Sequence, residues 1–227
     1  MVINYFLSLI LAPLLAFIVV AIVWTKRGKN RYPGLLQSFV LGMVSILLVL
    51  LFQYIANEFG LSNLKNLRRI IFYSFIVMGI GSELGKYLML RYYAFPKTSF
   101  NGPLDSIVYS AMISMGFTFV GNILYLVLPF YGELDPVYAI SVVFANLFFA
   151  VILGFFIGLA KMRENKFVDS MTGLLAASFF HALYNFCFFT EDYRLLIFLS
   201  IGAFVIVVLL YYKAFEMNEE YKRSKRD

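Results

Sequence analysis

VYAISVVFANLFFAVILGFFIGLA, residues 137–160, runs for twenty-four positions without a charged side chain. At a rise of about 1.5 Å per residue in an α-helix, this block alone spans the roughly 30 Å hydrocarbon core of a bilayer. Blocks of the same kind recur at 3–24, 35–57, 70–91, 104–129, 168–190 and 194–213. Transmembrane β-strands would show as short segments of alternating polarity, which this sequence lacks. Helices satisfy every backbone polar group within lipid. The expected fold is therefore an all-α integral membrane protein, a bundle of about seven transmembrane helices. Composition agrees: 62% of residues are hydrophobic, 14% are charged and the mean hydropathy is +0.83. Soluble domains are nearer half apolar and a quarter charged.

The connections between the blocks are short, so residues 1–215 read as a single polytopic membrane domain and 216–227 as a polar cytoplasmic tail. The first block lacks a basic leader and an A-x-A site, which makes it a span rather than a cleaved signal. A formal charge of +6 would suit nucleic acid, but the basic residues sit at the ends of apolar blocks, where they set topology. No nucleic-acid partner is expected; the expected environment is the lipid bilayer. Fourteen Lys and Arg residues fall on one side: Lys26 to Arg31, Arg91 and Lys97, Lys161 to Lys166, and Lys213 to Arg226. Lys65, Arg68, Arg69 and Arg194 fall on the other. That bias predicts an N-terminus outside and a cytoplasmic C-terminus. The single cysteine, Cys187, supports neither a disulfide framework nor a redox pair.

Ionisable and amide side chains inside spans are costly, and they mark cavities, partners and functional sites. The third span carries Ser82, Glu83 and Lys86, the fourth Gly121 and Asn122, the fifth Asn146, and the sixth His181 and Asn185. Glu83, Asn146 and His181 fall within a turn or two of mid-span, so separate helices bring polar groups to one depth. Each residue also has a plain structural role open to it. Glu83 and Lys86, at i,i+3, could be a buried ion pair that holds helices together. His181 could be a hydrogen-bonded packing residue and Asn146 interhelical glue. Asp105 and Asp169 stand in first turns, where the helix dipole favours an anion. Gly154 and Gly158 make a G-x-x-x-G face for close packing.

In order, these motifs are Ser82-Glu83-Leu84-Gly85-Lys86, Asp105-Ser106-Ile107-Val108-Tyr109, Gly116-Phe117 through Asn122-Ile123-Leu124-Tyr125, and His181-Ala182-Leu183-Tyr184-Asn185-Phe186. From about residue 35 to 190 the chain resembles the PrsW-type intramembrane proteases, distant relatives of the CAAX-protease and bacteriocin-processing family. The resemblance implies a bacterial cytoplasmic (inner) membrane location and cleavage of a single-span membrane protein such as an anti-sigma factor. It implies Glu83 as general base and His181 as partner of the oxyanion, with Lys86, Asn122, Asn146 and Asn185 in support. Peptide hydrolysis needs just such a base, to activate water, and donors for the developing negative charge.

Against the family pattern, Ser82 stands where the first glutamate of a Glu-Glu-x-x-Lys motif is expected. Gly121 stands where a glutamate precedes Asn122, and Asn146 where the fifth span has a histidine. The active site is thus reduced. Zinc is disfavoured, since a catalytic zinc takes about three protein ligands and Glu83 with His181 supply two; no cofactor is expected. Two alternatives stay open: an inactive relative that binds a membrane-spanning partner through the same groove, and a transporter or channel with Glu83, Lys86 and His181 along an ion path. No inverted repeat supports the latter.

Overall fold

The structure is a computed structural model and describes residues 2–27, 34–127 and 136–224. Among these residues all regular structure is helical. Helix α1 is Val2–Arg27 and α2 is Leu35–Glu58. The third helix, α3, changes its winding along its length. Leu67–Phe72 and Gly81–Met89 are α-helical, whereas Tyr73–Ile80 and Leu90–Ala94 form the wider turns of a π-helix. Four long helices follow: α4 (Pro103–Val127), α5 (Pro136–Met162), α6 (Lys166–Phe189) and α7 (Tyr193–Ser224).

Among the described residues, six helices are long and apolar enough to cross a membrane: those containing Leu7–Thr25, Leu35–Glu58, Pro103–Val127, Val137–Met162, Lys166–Phe189 and Tyr193–Tyr221. The apolar block at 70–91 lies inside α3, whose α and π pieces are each shorter than a span. The last helix continues beyond the apolar block that ends at 213 and into the polar stretch from 216. Glu216, Met217, Glu219, Glu220 and Lys222 are good helix formers, and α7 winds on through them to Ser224. Lys29 and Arg31 in the first connection, most of the fourth connection (131–135), and Lys225 and Arg226 lie outside the described residues.

Helices α4 and α5 form the centre. Helix α4 packs on α1, α2 and α5, and α5 packs on α6, which in turn packs on α3. In both α4 and α5, 67% of the apolar window is buried, against 6% in α7, so α7 lies on the outside of the bundle. Its outward face, with Phe198, Ile201 and Leu209, is exposed and apolar, which is the surface lipid tails cover.

Backbone contact between helices depends on small residues, as expected where lipid offers no hydrophobic drive to associate. A side chain at Gly42 on α2 would strike the Ile113 carbonyl of α4, and one at Gly116 on α4 would strike the Phe39 carbonyl of α2. The Gly154/Gly158 pair serves the α4–α5 contact as its spacing predicts. A Cβ at Gly154 would lie 2.8 Å from Ile107 Cα, and one at Gly158 would strike Pro103. Gly85, between Glu83 and Lys86, sits against the Ser45 carbonyl of α2. The charged turn of α3 is thereby held against the bundle.

Candidate active site

Glu83 and Lys86 share one face of the α-helical turn that opens at Gly81, directly after the π stretch. A π turn carries more residues than an α turn, so it re-phases the helix beyond it, and such turns recur at functional sites. The re-phased turn points both side chains into the bundle. There Lys86 Nζ donates to Glu83 Oε1 at 2.6 Å and to Asn146 Oδ1 of α5 at 2.5 Å. His181 of α6 brings Nδ1 to within 2.7 Å of the same Glu83 oxygen. A carboxylate paired with an ammonium group is an acceptor, so His181 donates from Nδ1.

All four residues are buried; Glu83 has no exposed surface and His181 only 2%. A buried ion pair is tolerable only when further hydrogen bonds satisfy it. Here the imidazole bonds Glu83 Oε1 and the Asn146 amide bonds the ammonium, while Glu83 Oε2 has no partner among the described residues. The Lys86 ammonium also lies 4.5 Å from the centre of the Phe117 ring. The imidazole stacks on Phe149 of α5, with centroids 4.8 Å apart and planes at 22°. Its orientation is fixed both edge-on and face-on.

Beside this cluster lies a cavity of about 50 Å³, room for a few waters. Ser82, Gly121, Asn122, Tyr138, Asn146 and His181 all contribute to its wall. Ser82, Gly121 and Asn146, the positions at which the sequence reading expects departures from the family pattern, thus all lie on this one cavity. Glu83 and Lys86 are not on its wall; they stand behind His181 and Asn146. Since Nδ1 of His181 is engaged by Glu83, any hydrogen bond from the ring to an occupant of the cavity uses Nε2.

The amides expected to support the site divide. Asn146 joins it through Lys86, while its Nδ2 donates to the Val142 carbonyl at 3.0 Å. Asn122 is a clamp: its Nδ2 donates to the Ser8 carbonyl of α1 at 2.8 Å and the Ala139 carbonyl of α5 at 3.2 Å. Asn185 donates to the carbonyl of His181 at 3.0 Å and accepts from the Tyr138 hydroxyl at 3.2 Å. Asp105 and Asp169 stay in first turns: Asp105 Oδ2 accepts the Asn101 backbone N–H at 3.1 Å, and Asp169 lies 3.7 Å from Arg163. Tyr138 and Phe149 join the site without having stood out in the sequence. The spacing 138, 142, 146, 149 is a usable signal, because it places Tyr138, Val142, Asn146 and Phe149 on one stripe of α5.

Comparison with known proteins gives this cluster a family. The model of the "PrsW family intramembrane metalloprotease" matches residues 31–212. Protease PrsW of Bacillus subtilis is 32% identical over 166 residues, covering 70% of this chain and 73% of the relative. Protease PrsW of Oceanobacillus iheyensis is 28% identical over 156 residues, 67% of this chain and 68% of the relative. Protease PrsW of Clostridioides difficile is 25% identical over 220 residues, 92% of this chain and 90% of the relative. No solved structure matches the chain.

The family description carries a metal ion, and the donor set here does not fit one. A catalytic zinc takes about three protein ligands, and among the described residues no three of His, Cys, Asp and Glu come together. Glu83 and His181 bond to each other, and the Lys86 ammonium already stands 2.6 Å from the carboxylate, where a second cation would be repelled. By the extent of the family match and the coverage of these relatives, the chain belongs to the PrsW family of intramembrane proteases, a bacterial family of multi-helix membrane proteins.

Proposed function

We propose that the chain is an intramembrane endopeptidase of reduced active site that cuts a single-span membrane protein, such as an anti-sigma factor, in the bacterial cytoplasmic membrane. In this reading α3 is the seventh crossing, because its pieces run end to end and it packs on α2 and α6. The basic residues then place the N-terminus outside and the C-terminus in the cytoplasm.

The supporting observation is the order Glu83, His181, cavity. Glu83 is the base that the resemblance implies, but it holds Nδ1 of His181 from behind while the ring reaches the cavity wall. Here the roles are exchanged: His181 is the general base and Glu83 its orienting partner, the arrangement that activates nucleophiles on unrelated folds. A water in the cavity gives a proton to His181 Nε2 as its oxygen attacks the scissile carbonyl carbon. The carbonyl electrons move onto oxygen, forming the tetrahedral oxyanion. Collapse of that intermediate breaks the C–N bond, and the leaving amine takes the proton back from His181. Glu83 stabilises the imidazolium between the two steps, and Lys86 keeps Glu83 in place.

One observation favours a second reading, an inactive relative that retains partner binding: the cavity wall has no carboxylate, with Ser82 and Gly121 at the motif positions. Mass-spectrometric mapping of protein N-termini in membranes from a deletion strain separates the two. Complementation with the wild-type chain creates new N-termini within a transmembrane segment of another protein, and the His181→Ala chain does not. No new N-termini with either chain would rule out the proteolytic reading, and the same new N-termini with both would rule out His181 as its base.

A further inference from the structure

Hydrolysis through His181 leaves open what receives the oxyanion, and the side chains around the cavity answer this by elimination. Donors on its wall are nearly all engaged. Both N–H bonds of the Asn122 amide go to backbone carbonyls, of Ser8 and Ala139. The Thr118 hydroxyl donates to the Ser114 carbonyl at 2.7 Å. Tyr125 donates to Tyr138, and Tyr138 to Asn185, each at 3.2 Å. The Gln53 amide lies 3.3 Å from Met78 Sδ.

Two donors remain. Asn146 Nδ2 carries two hydrogens and has one hydrogen bond among the described residues, to the Val142 carbonyl. The Ser82 hydroxyl has none, although Ser82 is 1% exposed. Other buried serines of this chain, such as Ser74 and Ser110, also lack a partner for their hydroxyls, but they do not line this cavity. Ser82 alone among them does. A buried polar group without a partner carries a free-energy cost, and a ligand that supplied the partner would remove it.

We propose that the Ser82 hydroxyl and the second N–H of Asn146 form the oxyanion-binding pair of this protein, receiving the substrate carbonyl oxygen opposite His181. Preorganised donors aimed at developing charge commonly contribute more to enzymatic rate enhancement than any other single effect. Asn146 is rigid for the task, because Lys86 holds its Oδ1 and the Val142 carbonyl its first N–H. Ser82 adjoins Glu83 on the same turn, so the group that orients the base and the group that binds the oxyanion move as one unit.

This assignment rests on the proteolytic reading, and its test separates the two. The test uses the full-length chain in proteoliposomes, with a substrate segment identified by the N-terminal mapping. A peptidyl aldehyde of the same sequence serves as probe, since its hydrated adduct carries the tetrahedral oxygen. Ser82→Ala should lower kcat by about 10²–10³-fold, the range for loss of one oxyanion donor, with KM unchanged and Tm unchanged or raised. Affinity for the aldehyde should fall in parallel with kcat/KM, and Ser82→Thr, which keeps the hydroxyl, should recover part of both. Asn146→Asp, which keeps an acceptor for Lys86 and removes both N–H donors, should lower kcat and aldehyde affinity in the same way, with some loss of Tm from the broken bond to the Val142 carbonyl. A wild-type chain that cleaves while Ser82→Ala retains wild-type kcat would overturn the pair and leave the protease standing. A wild-type chain that neither cleaves nor binds the aldehyde would overturn both.

Discussion

His181 and Glu83, ninety-eight positions apart in the chain, meet through a 2.7 Å contact between Nδ1 and Oε1 that sets the imidazole between a buried carboxylate and the cavity. Three neighbouring side chains hold this contact in place. Lys86 neutralises the carboxylate from its own helix, Asn146 anchors Lys86 from α5, and Phe149 holds the ring flat.

Because Glu83 and Lys86 are buried together, breaking the pair costs far more than removing it. Glu83→Gln and Lys86→Met each leave one buried charge without its partner and should lower stability by about 3–5 kcal/mol. The double variant should recover most of that loss. Thermal unfolding in detergent micelles measures the coupling; strictly additive losses would show that the two groups do not act as a pair.

Asn122 should report on architecture. Replacing it with Ala removes the donor to Ser8 and Ala139 and leaves two buried carbonyls short of a partner. The expected loss is about 1–3 kcal/mol, accompanied by faster proteolysis of α1. Unchanged stability would mean that the amide is not the clamp between α1, α4 and α5.

The contrast between Asn122 and Asn146 shows how far the sequence can be read. Apolar runs reveal the long helices, and burial of a few polar groups at one depth reveals the meeting of Glu83, Lys86, Asn146 and His181. Both follow from lipid as solvent, which penalises any polar group that does not converge on a partner. Which partner each amide finds depends on helix packing across more than a hundred residues, as between Ser8 and Asn122, and local periodicity does not carry that information. Nor does it carry the π turns in α3, which depend on how α3 fits against its neighbours and which decide where Glu83 points. The continuation of α7 to Ser224 is legible in its helix formers but obscured by the change from apolar to charged residues.

Close packing of α2 and α4 should be intolerant of side chains. Gly42→Leu and Gly116→Val each drive atoms into a facing carbonyl and should lower Tm by many degrees or prevent folding. Gly202→Ala on α7, where a Cβ would meet nothing within 4 Å, is the control and should leave Tm unchanged or raised. Equal tolerance at all three positions would contradict the packing.

Seven crossings can be told from six by two cysteines on either side of α3. Lys65→Cys should react in intact cells with a membrane-impermeant maleimide, and Thr98→Cys should react only after the cells are opened. Native Cys187 is buried and does not compete. Labelling of both positions in intact cells would place the two ends of α3 on one face of the membrane.

The most direct test of the account is single-turnover cleavage of the mapped substrate segment by purified chain in proteoliposomes treated with a metal chelator. Wild type should yield one product pair, His181→Ala none, and Glu83→Asn a rate reduced by about 10²–10⁴-fold, the range general acid–base catalysis contributes. Product formation by His181→Ala at the wild-type rate would contradict the central claim that this histidine, held by Glu83, activates the water.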